Sequence, residues 1–233
     1  MRLVSALSIA SVFLTGCATQ GISSHLYTPG TKINITNETT VPGQYSSVWD
    51  ALVRDLAKSF YVINNIDKES RIINVSFSSQ KAEDYVDCGR TQRTYKEGDA
   101  AERYNYAVAE RSTFKVATAR QEHPAFTNYF VLTREPTLEG RSNIYIAPST
   151  SDPNQTTISV NTRYILTVKV RGEGFAKHIS GNVQTRGRSP EETFTSTFNT
   201  NSSSSNDVGA GVTIVCFAKG TLEREILGIL AKR

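Results

Sequence analysis

The sequence predicts an α+β fold, with a mostly antiparallel sheet of about seven or eight strands packed by two helices, over 47–59 and 221–231. Three observations predict it. Two segments repeat apolar residues every three or four positions, as one face of a helix does. The run 156–171 alternates apolar and polar residues, as a strand with one buried and one wet face does. Polar turns separate several shorter alternating segments, which favours antiparallel neighbours.

Each predicted helix has an apolar stripe and a suitable start. Ser47 is a good N-cap residue, and the stripe that follows comprises Trp49, Leu52, Val53, Leu56 and Phe60. The second helix opens at Thr221, and its stripe comprises Leu222, Ile226, Ile229 and Leu230. Its acidic residues lie near the start and its basic residues at the end, which suits the helix dipole. Both helices are therefore expected to pack on a sheet.

The alternating segments predict the strands, and polar segments predict the loops between them. The predicted strands cover 61–64, 71–79, 112–119, 127–134, 141–147, 156–171, 178–186, 192–199 and 211–217. Gly187–Pro190 is expected to join two of them, 178–186 and 192–199, as a hairpin. The polar segment 80–111 predicts a loop with an irregular or short helical piece, and 199–211 predicts a flexible loop. One domain is expected over 46–233, and a split near residue 120 is the alternative.

The N-terminal segment has the features of a lipoprotein leader. Arg2 precedes about a dozen apolar or small residues, too few to span roughly 30 Å of hydrocarbon but right for a signal peptide. Leu14-Thr15-Gly16-Cys17 then resembles the lipobox of bacterial lipoproteins. The resemblance implies a diacylglycerol on the Cys17 sulfur, removal of the signal peptide 1–16, and acylation of the new amino group. A secreted protein with a chance cysteine is the alternative.

The lipobox resemblance also implies a location. Three acyl chains would hold the protein firmly, since each buried methylene contributes about 0.8 kcal/mol. Ala18 stands where Asp favours the inner membrane in enteric-type bacteria, so the outer membrane is expected, on its periplasmic face, with surface display as the alternative. Residues 17–45 are rich in Thr, Ser, Gly, Asn and Pro. They predict an acylated N-terminus followed by a flexible tether.

A second, looser resemblance concerns the start of the domain. The order of helix, strand, polar turn and strand over 47–79 is loosely similar to the helix-grip type repeat of the BamC lipoproteins. That resemblance implies an α+β unit here and names no partner.

The two other cysteines predict a disulfide. With Cys17 acylated, Cys88 and Cys216 remain, and two thiols in an oxidising compartment are expected to pair. Two free thiols or a metal pair are the alternatives. No further ligand lies at zinc-like spacing from either cysteine, so no metal site is predicted.

The sequence offers no catalytic, cofactor or nucleic-acid signature. The net charge is +4, and the basic residues are spread along the chain without interleaved aromatics, so no nucleic-acid partner is expected. His25, His123 and His178 lie in no metal or catalytic motif. His178 with Ser180 lacks the nucleophile elbow of a hydrolase. We therefore expect neither catalytic residues nor a cofactor.

These observations predict a non-catalytic envelope lipoprotein, an accessory or assembly factor that binds another envelope protein. The mode of contact would be addition of a strand to an open sheet edge. A glycan or small-ligand binder is the first alternative, and a hydrolase of cell wall or lipid is the second. An apolar pocket would favour the first alternative.

Overall fold

The computed structural model describes residues 20–118, 123–209 and 211–231, with the side chains of the last two residues left aside. It is mostly β, with 60% strand and 12% helix, and its strands form three sheets. The prediction of an α+β fold built on one sheet is therefore wrong. The prediction fails because segments with little apolar alternation form strands by pairing with distant parts of the chain.

The described parts of the chain contain two α-helices, one short 3₁₀ helix (Ala82–Asp84) and fourteen strands. The helices are α1 (Tyr45–Leu56) and α2 (Thr221–Ala231). The strands are β1 (Ile22–Thr28), β2 (Glu38–Pro42), β3 (Val62–Asp67), β4 (Ile72–Ser79), β5 (Val86–Asp87), β6 (Arg90–Glu97), β7 (Ala100–Ala107), β8 (Ser112–Ala117), β9 (Phe126–Pro148), β10 (Gln155–His178), β11 (Val183–Arg188), β12 (Glu192–Asn199), β13 (Ser203–Asp207) and β14 (Thr213–Ala218).

One long hairpin organises the largest sheet. β9 and β10 pair antiparallel along their whole length, from Thr156 opposite Pro148 to His178 opposite Phe126. On the outer side of β9, β4 pairs near the hairpin turn and β8 pairs farther out, and β3 lies beyond β4. On the outer side of β10, β2, β12 and β11 follow one another from the turn outward.

The other two sheets have three strands each. One has the order β1-β6-β7 and the other the order β13-β14-β5. β5 and β6 are almost consecutive in the chain but belong to different small sheets. The two small sheets therefore meet where the chain passes from β5 to β6.

The main core lies on one face of the hairpin, near its turn. Both helices pack there, with Leu52 and Leu56 of α1 and Leu222 of α2 fully buried. The inward residues of β10 alternate with outward ones, as predicted for 156–171, and the strand continues to His178. The buried set from the sheet comprises Ile73, Val75, Leu138, Ile144, Ile146, Ile158, Val160 and Tyr164.

Several predicted elements need correction. The second helix is confirmed over 221–231, whereas the first runs from Tyr45 to Leu56. The tether predicted over 17–45 contains β1 and β2, and each pairs with a strand far along the chain. The segment 80–111, predicted as a loop with an irregular or short helical piece, contains the 3₁₀ helix Ala82–Asp84 but also β5, β6 and β7, and the loop predicted over 199–211 contains β13. These strands are polar and gain their order from their neighbours, not from an apolar alternation.

The strand pairings also differ from two predictions. The strands predicted over 127–134 and 141–147 are one strand, β9. β11 and β12 do not form the predicted hairpin, because both pair with β10, one after the other along the same edge. No helix in the described ranges is long and apolar enough to cross a membrane.

Candidate functional site

A cavity of about 250 Å³ lies beside the main core, over the middle of the β9–β10 hairpin. Its floor is the same face of the large sheet that carries the helices, and the two small sheets form its walls. The floor comprises Phe114, Leu132, Arg134, Leu166, Val168, Val170, Glu192, Phe194 and Ser196, and the walls comprise Thr91, Arg93, Tyr106, Val108, Asn206, Val208, Ile214 and Cys216.

The strand registers explain why the floor residues share a face. Val168 lies opposite Phe194 across β10 and β12, and Leu132 lies opposite Phe114 across β9 and β8. Directly opposed residues in an antiparallel pair point to the same side of the sheet. Four adjacent strands therefore contribute apolar side chains to one continuous surface.

Arg134 is the most unusual residue of this lining, a cation on the apolar face of β9. Its Nη2 donates a hydrogen bond to the Val108 carbonyl at 2.8 Å, and its guanidinium lies 5.3 Å from the centre of the Tyr106 ring. Its Nη1 is buried, with no hydrogen-bond acceptor among the described residues. Burial lowers the pKa of the Arg134 guanidinium, and the nearby charge of Arg93 acts in the same direction. The group nevertheless stays protonated, because arginine does not lose its proton in proteins.

A second arginine lines the cavity from the wall. Arg93 donates from Nε to the Tyr106 hydroxyl at 2.8 Å, and its guanidinium lies 4.6 Å from the centre of the Phe114 ring. Across the described residues, no carboxylate forms an ion pair with Arg93 or Arg134. Both cations are therefore held by aromatic faces and neutral oxygens.

Few polar groups line the part of the cavity away from the two arginines. Asn206 donates to the Ser196 hydroxyl at 2.6 Å, so these two side chains satisfy each other. Glu192 is exposed and is the one carboxylate of the lining. The cavity thus combines an apolar floor with a concentration of positive charge on one side.

The disulfide predicted from the sequence is confirmed, and it joins β14 to the residue that follows β5. Cys88 and Cys216 are bonded, with an S–S distance of 2.05 Å, and both are almost fully buried. The alternatives of free thiols or a metal pair are thereby removed. Tyr27 of β1 reinforces the same junction, because its hydroxyl donates to the Cys88 carbonyl at 3.1 Å and accepts from the Val215 N–H at 3.2 Å.

The histidines do not approach the cavity. His178 Nδ1 lies 2.7 Å from the Ser180 hydroxyl, in an exposed turn after β10. No carboxylate in the described part of the chain is paired with His178. His25 is exposed on β1, and His123 accepts a hydrogen bond from the Ala125 N–H at 3.1 Å. The predicted lipid-attachment residue, Cys17, lies outside the described residues.

A second cleft brings two carboxylates together but pairs each with a lysine. Lys115 lies 2.5 Å from Glu102, and Lys177 lies 3.0 Å from Glu97. The hydrogen bond from Lys115 holds the pKa of Glu102 below its usual value. A general acid needs a raised pKa, so Glu102 is unsuited to that role. Over the same described ranges, no group of three or more His, Cys, Asp and Glu could hold a metal ion.

Comparison with known proteins gives no relative: no family model, no curated protein and no solved structure matches the chain.

Proposed function

We propose that the protein is a non-catalytic, lipid-anchored lipoprotein of the bacterial envelope that binds a small ligand in the cavity between its three sheets. The observation that carries the proposal is the apolar cavity itself. Binding sites for small molecules are typically concave and mostly apolar, with a few placed polar groups. The lining has this composition, and it favours the ligand-binding alternative over partner binding alone.

The chemistry of the lining supports binding rather than a reaction. Two of its titratable groups are arginines, which remain protonated and so cannot act as a general base. The others are Glu192, which is exposed, and Tyr106, whose hydroxyl accepts a hydrogen bond from Arg93. The cysteine in the wall is oxidised and offers no thiolate. The side chains can therefore orient a ligand by apolar contact and charge.

Ligand entry is tested by nuclear magnetic resonance on the oxidised full chain with Cys17→Ser, titrated with octanol. We expect shifts confined to the methyl groups of the floor, above all those of Leu166, Val168 and Val170. Val170→Phe fills the cavity and should weaken octanol binding at least tenfold. Val183→Phe makes the same change on the exposed strand β11 and should leave binding unchanged. Methyl shifts spread over the whole surface, or equal binding by both variants, would overturn the proposal.

The lipid anchor proposed at Cys17 has its own test. Cells expressing the unaltered chain are expected to incorporate labelled palmitate into it and to retain it in the outer-membrane fraction. Cys17→Ser should abolish the label, whereas the double variant Cys88→Ser/Cys216→Ser should keep it. A labelled Cys17→Ser chain would remove the basis for the anchor.

Partner binding remains a second candidate because of one sheet edge. β3 is the outermost strand on its side of the large sheet. Val62 at its start is 60% exposed, and Phe60, two residues before it, is 64% exposed. Open edges pair with strands of other chains, and lysine on an edge opposes such pairing. When cell envelopes are cross-linked and the protein is purified, Val62→Lys should therefore lack a cross-linked partner protein. The same partner should still be recovered with Tyr145→Lys, whose change lies on the inner strand β9. Equal recovery with both variants would argue against this edge.

A further inference from the structure

We propose that the ligand of the cavity is a small amphipathic monocarboxylate, with its carboxylate at Arg134 and Arg93 and its apolar body over Leu166, Val168 and Val170. This inference rests on the proposed ligand-binding function and adds the chemical class of the ligand. It follows from the charge, the hydrogen bonding and the size of the cavity.

The first step is the unpaired charge. Several cations of the sheets and their connections have carboxylate partners: Arg111 and Arg171 both pair with Glu135, and Lys115 pairs with Glu102. Strand cations that form no ion pair with the described residues, such as Arg141 and Arg163, are exposed to water. Among the described residues, the two arginines of the cavity have none. A charge taken from water is costly unless it is paired and hydrogen-bonded. What sets Arg134 apart from those exposed cations is an unpaired charge with a buried Nη1, at the wall of a cavity.

The second step is the missing acceptor. Nη2 of Arg134 has the Val108 carbonyl, whereas its Nη1 is buried without an acceptor in the described structure. A buried donor without a partner destabilises the protein by about 1–3 kcal/mol, more for a charged group. A ligand carboxylate at the cavity wall would supply an acceptor for Nη1. The guanidinium would rotate about its hydrogen bond to the Val108 carbonyl to reach it. Arginine and carboxylate also match in planar, two-point geometry.

The third step is the net charge of the site. Two arginines and one glutamate in the lining leave a single net positive charge. That charge complements a monoanion. A dianion would bring a second negative charge near Glu192, where repulsion opposes it. The balance favours a carboxylate over a phosphate monoester.

The fourth step is size. An engineered apolar cavity of about 150 Å³ holds benzene, which has six heavy atoms. By proportion, the present 250 Å³ accommodates about ten heavy atoms. Octanoate has that number and joins an apolar chain to a carboxylate, so it is a suitable probe. Its chain would contact the floor of β10 while its head faces β9 and β6.

The test is calorimetric titration of the oxidised Cys17→Ser full chain with octanoate, octanol and octylamine. We expect octanoate to bind at least tenfold more tightly than octanol, and octylamine to bind more weakly than either. Arg134→Met should remove most of the preference for octanoate over octanol. Arg111→Met, the matched change at an exposed arginine outside the cavity, should alter neither.

The outcomes separate this inference from the function on which it rests. Equal affinity for octanoate and octanol would overturn the monocarboxylate but leave a ligand-binding cavity. Binding of none of the three probes would overturn both. The comparison of the three probes uses the unsubstituted cavity, so it remains a valid test if Arg134→Met does not fold. In that case Arg93→Met serves as the variant that removes a positive charge from the cavity.

Discussion

At the scale of single residues, Glu223 is the carboxylate on which the packing of α2 depends. It is 0% exposed, and its oxygens accept hydrogen bonds from Tyr164 at 2.8 and 2.9 Å and from Thr200 at 2.7 Å. It lies in the first turn of α2, where a negative charge interacts favourably with the helix dipole. Burial and the neighbouring carboxylate raise the pKa of Tyr164, so its hydroxyl stays a donor. Glu223 thus ties α2 to β10 and to the residue after β12.

Glu223→Ala should lower the free energy of unfolding by about 2–4 kcal/mol, because it removes the acceptor of the buried Tyr164 hydroxyl and the nearer of two acceptors of the Thr200 hydroxyl. Denaturant unfolding measures the loss. Glu225→Ala is the matched control on the same helix, since Glu225 is exposed and accepts one hydrogen bond, from Tyr61 at 3.0 Å. Its loss should be clearly smaller. Equal losses in the two variants would show that the buried network has no special weight.

A second residue-scale prediction concerns Gly140, which lies opposite Phe77 where β4 pairs with β9. A Cβ built on Gly140 would lie 1.8 Å from Cε1 of Phe77, so the aromatic ring occupies the place of a side chain. Gly140→Ala should therefore destabilise the protein by about 1–3 kcal/mol, as overpacking does. Thermal unfolding in a double-mutant cycle checks the cause: Phe77→Leu should relieve most of the loss. Additive effects of the two changes would contradict a clash between these side chains.

The residues of the cavity were only partly predictable from the sequence. Arg134 has the same parity as Leu132 and Leu138, so a cation on the apolar face of a strand was a readable signal. Arg93 gave no such signal, because β6 is polar throughout and its inward face depends on β8. The disulfide was predictable, since only two cysteines remained to pair. Contacts between sheets decide whether a buried cation has a carboxylate partner, and no local sequence pattern encodes those contacts.

At the scale of elements, strands divide into those specified locally and those specified by their neighbours. β4 and β10 alternate apolar and polar residues, and the sequence predicted both. β1 is almost wholly exposed and β13 is a polar run, and each takes its strand conformation from one paired neighbour. The sequence predicted an α+β fold because hydrophobic periodicity detects the two helices and the alternating strands but not these neighbour-dependent strands. The mostly β fold follows from adding them.

This division predicts the pattern of hydrogen exchange. Residues 138–145 of β9 and 163–170 of β10 have a hydrogen-bonded strand on both sides, whereas all six residues of β11 are exposed and pair on one side. Amides in the two central segments should exchange slowest, because they open only with the core. Those of β11 should exchange fastest among the strands. Mass spectrometry of exchanged peptides measures this, and protection of β11 equal to that of β9 would contradict it.

At the scale of the whole molecule, a single face of the β9–β10 hairpin serves two purposes. Near the hairpin turn the helices cover it and form the core, and farther along the small sheets cover it and leave the cavity. Tyr27 of β1 joins the two small sheets beside the Cys88–Cys216 bond, which links β14 to the residue after β5. The shape of the cavity is therefore a property of how three sheets are joined, not of any one of them.

The join predicts how the molecule responds to loss of its disulfide. The bond closes a loop of sequence separation 128, so Cys88→Ser/Cys216→Ser should lower the free energy of unfolding by about 2–5 kcal/mol. Tyr27→Phe, which removes a hydroxyl at the same junction but keeps the chain covalently joined, should cost about 1 kcal/mol. Both losses are measured by denaturant unfolding.

Because both cysteines are almost fully buried, dithiothreitol should reduce the unaltered protein slowly in native buffer and rapidly in denaturant. Rapid reduction in native buffer would mean that the buried bond becomes accessible without global unfolding.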